Sequence, residues 1–283
     1  MIRGVPVRVT EIRMAVMKRL KDAGIPGPAL DAELLVAHAL NTDRYRLLTA
    51  DDRTLSEKEI GRVNRLVRRR LQHEPVAYIL GRKEFYSHDF IVNRDVLIPR
   101  PETELLVDMA IYYARQNAAT VDIGTGSGAI AVSLKYARRD LDVHATDISA
   151  RALKTARKNA SRILGKNMIR FHLGNLYKPL SGMRFQVIAV NPPYVDRKSA
   201  DSLQRDLSYE PEVALFSGKG GRETIGRIIA QSGRYLADGG VLIMEIGEEM
   251  KDFVKRSGKS RGFTVSVLND YTGLPRVAVM KKQ

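Results

Sequence analysis

Ile12, Val16 and Leu20 recur at four-residue spacing, which on a helix builds one apolar face, and Thr10 is placed to cap its start. Gly24 through Pro28 interrupt the pattern, and Asp31 is expected to open a second helix with Leu34, Leu35, Ala37, His38 and Leu40 on it. From Ser56 to Leu71 a third helix is predicted, with Ile60, Val63, Val67 and Leu71 as its apolar stripe. Opposite them, Lys58, Arg62, Arg65 and Arg69 fall within an arc of about 60°. Together these segments predict a helical domain over residues 1–75.

Pro75 marks a change of period. Tyr78-Ile79-Leu80 and Phe90-Ile91-Val92 read as extended runs flanking Gly81 through Asp89, so residues 76–100 are expected to form a hairpin linker. Pro101 suits a first helical turn, with Glu102 and Glu104 at its positive end, before the helix of Leu105, Leu106 and Met109. Strand and helix patterns then alternate over residues 101–283. Strands are expected at 120–123, 141–146, 169–172, 185–190, 240–246, 263–268 and 276–280, with a helix from Ala129 to Tyr136 and Ser149 as the cap of another. This order predicts an open Rossmann-like α/β sheet that binds its ligand at the strand C-termini.

Composition narrows the chemistry. The 283 residues contain no cysteine, and the five histidines show no metal-ligand spacing, so neither disulfides nor a metal centre is expected. No apolar run approaches the roughly 20 residues that span a bilayer, and the N-terminus has no secretory apolar core, so a cytoplasmic protein without a membrane partner is expected. The net charge of +15 favours a polyanionic partner but identifies no element that reads bases. The basic helix is equally consistent with a solvated face and with nucleic-acid contact.

Two motifs fall at strand ends. After the first strand of the alternating region, Gly124, Thr125, Gly126, Ser127 and Gly128 form a turn that permits close backbone approach. Asp147, 19 positions after Gly128, is placed to accept from two ribose hydroxyls, and Asp122 to orient the turn. The spacing is not G-x-G-x-x-G, which sets aside the competing nicotinamide-dinucleotide reading once the second motif is added. That motif, Asn191-Pro192-Pro193-Tyr194, follows the run Val187-Ile188-Ala189-Val190. The Asn191 side-chain oxygen and the Pro192 carbonyl can each accept one proton of a planar NH2, while Tyr194 can stack on a flat substrate. The plain alternative is a proline-fixed loop with an Asx-turn.

With these residues the chain resembles the class I S-adenosylmethionine-dependent methyltransferases. More closely, it is similar to the bacterial protein-glutamine N5-methyltransferases that modify class I peptide chain release factors. Tyr78 through Tyr86, Arg100-Pro101-Glu102-Thr103-Glu104, Tyr209-Glu210-Pro211 and Glu245-Ile246-Gly247 extend the likeness over nearly the whole chain. The resemblance implies S-adenosyl-L-methionine as cofactor and S-adenosyl-L-homocysteine as product. Gly124 to Gly128 would lie at the methionine portion, Asp147 at ribose, and Asn175 and Leu176 at adenine. Where Asn175 stands, the family usually has an acidic residue. Asn191, Pro192 and Tyr194 would be catalytic, and with Pro193 they would hold the substrate; Asn191 also borders the cofactor. The implied substrate is the glutamine of the Gly-Gly-Gln loop in release factors 1 and 2, acted on by a monomer, with nucleic-acid contact not required. An exocyclic-amino methyltransferase of RNA or DNA and a non-enzymatic RNA-binding or assembly protein are the alternatives. Residues 195–209 read as a polar rim, in which Asp196, Arg197, Lys198, Asp201 and Arg205 can guide a protein loop.

Overall fold

The apolar face of the first helix closes a small bundle. The computed structural model describes residues 7–49, 53–197 and 204–282, and Lys198 and Asp201 of the expected rim lie outside these. The described chain forms two units: one runs up to Gly81 and includes Gln204–Tyr209, and the other holds the remainder from Arg82 onward.

In the first unit, α1 (Val9–Asp22), α2 (Pro28–Ala39), α3 (Arg44–Thr49), α4 (Glu57–Leu71) and α5 (Val76–Leu80) surround Val16, Leu20, Leu35, Val36, Val63 and Val67. Ser56 caps α4 as its spacing to Glu59 dictates, accepting from the Glu59 amide at 3.3 Å while the Glu59 carboxylate accepts from the Ser56 amide at 2.9 Å. Three expectations are corrected. Thr10 lies inside α1, which starts one residue earlier because the Glu11 carboxylate accepts from the Arg8 amide at 2.8 Å. Asp31 lies within the first turn of α2, where Pro28 leads the helix, and its carboxylate instead accepts from the buried Arg70 guanidinium at 2.7 Å. Arg70 also pairs with Asp206 at 2.9 Å, so this buried cation has two carboxylate partners. The cationic arc of α4 loses Arg69, which is turned into a two-bonded pair with Glu74 at 2.7 and 2.8 Å.

Tyr78-Ile79-Leu80 is helical, not extended. Pro75 starts the turn, its carbonyl accepts from the Tyr78 and Ile79 amides, and Gly81 ends α5 at φ +71°. The hairpin is shorter than expected, β1 (Arg82–Phe85) against β2 (His88–Ile91). Its two turn residues, Tyr86 and Ser87, both have positive φ, as a tight hairpin requires. Tyr86 is held there by its amide, which donates to Glu104 at 2.8 Å, and by its hydroxyl, which donates to Asp108 at 2.9 Å.

Among the described residues, seven strands form the main sheet: β3 (Ala119–Ile123), β4 (Asp142–Asp147), β5 (Arg170–Leu173), β6 (Phe185–Val190), β7 (Leu236–Glu245), β8 (Phe263–Asn269) and β9 (Pro275–Lys282). Their order is β5-β4-β3-β6-β7-β9-β8, parallel except for β9, which runs antiparallel to both of its neighbours. Because side chains alternate along each strand, Val187 and Ala189 face a core with α6 (Glu104–Tyr113), α7 (Ala129–Ala137) and α8 (Ala150–Leu164). Ile188 and Val190 face the other core, with α10 (Glu223–Ser232) and α11 (Lys251–Lys259); a short α9 (Glu212–Leu215) precedes these. This is the Rossmann-like class I methyltransferase sheet. Among the described residues, no helix is long and apolar enough to cross a membrane.

Candidate active site

β3 has β4 on one side and β6 on the other, with Ile123 opposite Thr146 and Val190. The connection out of β3 runs to β4 while the one out of β5 returns to β6 on the other side, and this switch at the strand C-termini opens a crevice between the glycine turn, Asp147 and Asn191. Its volume is about 250 Å³.

The glycine turn is fixed from below. Gly124 and Thr125 both donate to the Thr146 carbonyl at 2.9 Å. The fully buried Asp122 carboxylate accepts from the Thr125 hydroxyl at 2.6 Å and from the Ala131 amide at 3.2 Å, and burial pushes its pKa up to about 7. Gly124 and Gly126 line the crevice at φ +74° and +56°, and a Cβ on either would meet no atom within 4 Å. The missing side chains thus leave room for a ligand to lie against the backbone. Gly128 is needed for packing instead, since a Cβ there would come within 3.2 Å of Ala156. Thr125 and Ser127 are buried beneath the turn, and the Ser127 carbonyl accepts from Asn159 at 2.8 Å.

Asp147 ends β4 with one carboxylate oxygen accepting from the Gly126 amide at 2.9 Å and the other from the Ser149 amide at 2.8 Å. Burial pushes its pKa up, and the amides of Ser149, Gly126 and Ile148 oppose the shift. Each oxygen keeps acceptor capacity toward the crevice that Asp147 lines. Asn175 and Leu176, just past β5, line it as well. Open glycine walls beside an oriented carboxylate fit a nucleoside-bearing cofactor.

Asn191, Pro192 and Pro193 form another wall. The Asn191 amide is oriented by two residues whose joint part the linear pattern does not reveal. Thr103, buried at the start of α6, donates its hydroxyl proton to Glu245 at 2.6 Å. Having donated its only proton, Thr103 can only accept from Asn191, at 3.3 Å. Nδ2 is therefore the atom turned to Thr103, and Oδ1 is left as the available acceptor. Tyr194 lies outside the crevice lining: its ring packs partly buried against the core beside Gly247, and its hydroxyl donates to Glu245 at 3.4 Å. Across the crevice, Glu210 ties two segments together by accepting from the Ile98 amide at 3.0 Å and from Arg100.

Glu245 is fully buried, and burial raises its pKa to about 7 against the pull of the Thr103 hydrogen bond. A carboxyl whose pKa rises on folding contributes most below its unfolded value of 4.5, and this contribution is lost as pH climbs through 7. Glu245→Gln keeps an acceptor for Thr103 and adds a donor for Tyr194. It is expected to gain stability over the parent as pH rises from 4.5 to 8, levelling off at about 3 kcal/mol. Urea unfolding of both proteins across this range checks it, and a pH-independent difference refutes it.

The sequence pattern of the PrmC N-terminal domain matches residues 11–81, and that of the methyltransferase small domain matches residues 101–220. A release factor glutamine methyltransferase of Koribacter versatilis is 39% identical over 271 residues, covering 94% of this chain and 95% of that one. The chain belongs to the release factor glutamine methyltransferase family. A family member from Neisseria gonorrhoeae is 38% identical, covering 90% of this chain and 93% of its own. A methyltransferase structure from Pyrococcus furiosus shares the fold, with a TM-score of 0.53 at 20% identity over 77% of this chain and 97% of that one. Release factor glutamine methyltransferases thus match this chain through both of its units.

Proposed function

We propose that the chain methylates the side-chain amide nitrogen of the glutamine in the Gly-Gly-Gln loop of peptide chain release factors, using S-adenosyl-L-methionine. The observation that carries this reading is the Asn191 amide, turned by Thr103 so that its oxygen is free at a crevice that also holds Asp147 and the open glycine turn. Family membership supplies the substrate.

When bound, the cofactor supplies an electrophilic sulfonium methyl. Asp147 accepts from its ribose hydroxyls, Gly124 and Gly126 admit it against bare backbone, and Asn175 and Leu176 border its base. Asn175 offers a neutral oxygen where the family usually has an acid, so this contact lacks the strength a charge would add. The reacting amide nitrogen is a poor nucleophile, because its lone pair is delocalised into the carbonyl. Asn191 Oδ1 and the Pro192 carbonyl take one N–H each, which fixes the nitrogen and favours positive charge on it as the new bond forms. The proton leaves after that step, when the nitrogen is far more acidic, so no strong base is needed. Pro192 and Pro193 stiffen this wall, and Tyr194 braces it through Glu245.

Labelled-methyl transfer to an intact release factor, to its Gln→Ala variant and to total nucleic acid tests the proposal. Label is expected only on the release factor with its glutamine. Label on nucleic acid, or on the Gln→Ala protein, would overturn it in favour of a different acceptor, and binding without any transfer would favour a non-enzymatic role.

A further inference from the structure

From residue 148 to residue 195 the chain carries nine Lys and Arg and no Asp or Glu. Helix α8 concentrates five of them. It buries Leu153, Ala156 and Ala160, while Arg151, Lys154, Arg157, Lys158 and Arg162 are all exposed, with Ser161 among them. Lys154, Arg157, Lys158 and Arg162, together with Ser161 and Ile91, line one shallow surface groove. Arg151 reaches Asp95 only at 3.8 Å, and no carboxylate among the described residues pairs with the four groove cations. Arg157 lies 5.1 Å over the Phe171 ring, which orients the guanidinium without neutralising it.

Lys154, Lys158 and Arg162 stand one turn apart in a row of about 12 Å, at 1.5 Å per residue. Like charges at this spacing weaken a helix, and an opposing polyanion removes that repulsion. The face is unsuited to a protein partner, whose interfaces centre on aromatic and apolar anchors and are depleted in Lys. No large hydrophobic residue of α8 is exposed. Phosphodiester contacts require only such cations. We propose that the outer face of α8 binds the phosphodiester backbone of a nucleic acid through Lys154, Arg157, Lys158 and Arg162, without reading its sequence. This site lies outside the crevice and does not depend on the methyl acceptor.

Fluorescence anisotropy of the full chain with a labelled mixed-sequence RNA, and with DNA of the same sequence, measured from low to high salt, tests it. Four phosphate contacts contribute a slope of log affinity against log salt of about −3 on single strands and nearer −4 on duplex. Replacing all four cations with Gln is expected to remove about 3 from that slope and to weaken binding at least about 10-fold near 0.1 M salt. Lys154→Arg with Lys158→Arg should bind as the parent does. Release-factor methylation by the four-fold variant should keep its rate, showing that the fold is intact. An unchanged slope in the four-fold variant overturns the proposal. So does an equal loss in Arg62→Gln/Arg65→Gln on α4, or displacement of RNA by poly-glutamate as readily as by unlabelled RNA, which would point to an acidic protein instead.

Discussion

Asn191→Ala is expected to lower single-turnover methylation of a saturating release factor by about 10²–10³-fold, while cofactor affinity changes by less than about threefold. The expectation follows from what the substitution removes. Asn191 Oδ1 is the acceptor left available after Nδ2 is committed to Thr103, and it is aimed before substrate arrives, so its loss falls on the bond-forming step more than on binding. Thr103→Val provides the graded comparison. It leaves Asn191 in place but frees its amide to rotate, so about a tenfold loss in kcat with KM little changed is expected. If Asn191→Ala transfers methyl at the parental rate, Oδ1 does not hold the reacting nitrogen. Equal losses for the two variants would instead show that Asn191 acts only as part of the buried network.

Asp147→Ala is expected to raise the cofactor dissociation constant about 100-fold. Two charge-assisted hydrogen bonds are lost, each worth about 1.5–3 kcal/mol, and water recovers part of this. The same substitution strips the Gly126 and Ser149 amides of their acceptor and loosens the glycine turn. Asp147→Asn, which keeps one oxygen for an amide, should fall between the two. Calorimetric titration of S-adenosyl-L-homocysteine separates these effects from turnover. An Asp147→Ala protein that is folded and binds within threefold of the parent would remove Asp147 from the cofactor site.

Features written into neighbouring residues were legible. Val187 to Val190 is a continuous apolar run buried on both faces of the sheet, Ser149 sits where a cap is needed, and the glycine turn follows its strand directly. Asp122 and Asp147 could be placed because each acts within a few residues of a strand end. Contacts made between distant positions were not legible. Thr103 meets Glu245 across 142 positions, and neither residue type announces that it will orient an asparagine on a third segment. Asp31 looked like a helix start because its partner, Arg70, lies 39 residues away. Tyr78 to Leu80 looked extended because β-branched and aromatic residues suit strands, yet Pro75 and Gly81 confine the segment to a single helical turn and burial of Tyr78 and Ile79 rewards it.

The hydrogen-bond direction from Asn191 through Thr103 to Glu245 also bears on fidelity. A glutamine that has deamidated to glutamate is nearly the same size and shape, so contact area alone discriminates poorly against it. Two oxygen acceptors, at Asn191 and Pro192, welcome an NH2 group and repel a carboxylate. Damaged termination factors would therefore be turned away by polarity, with no proofreading step.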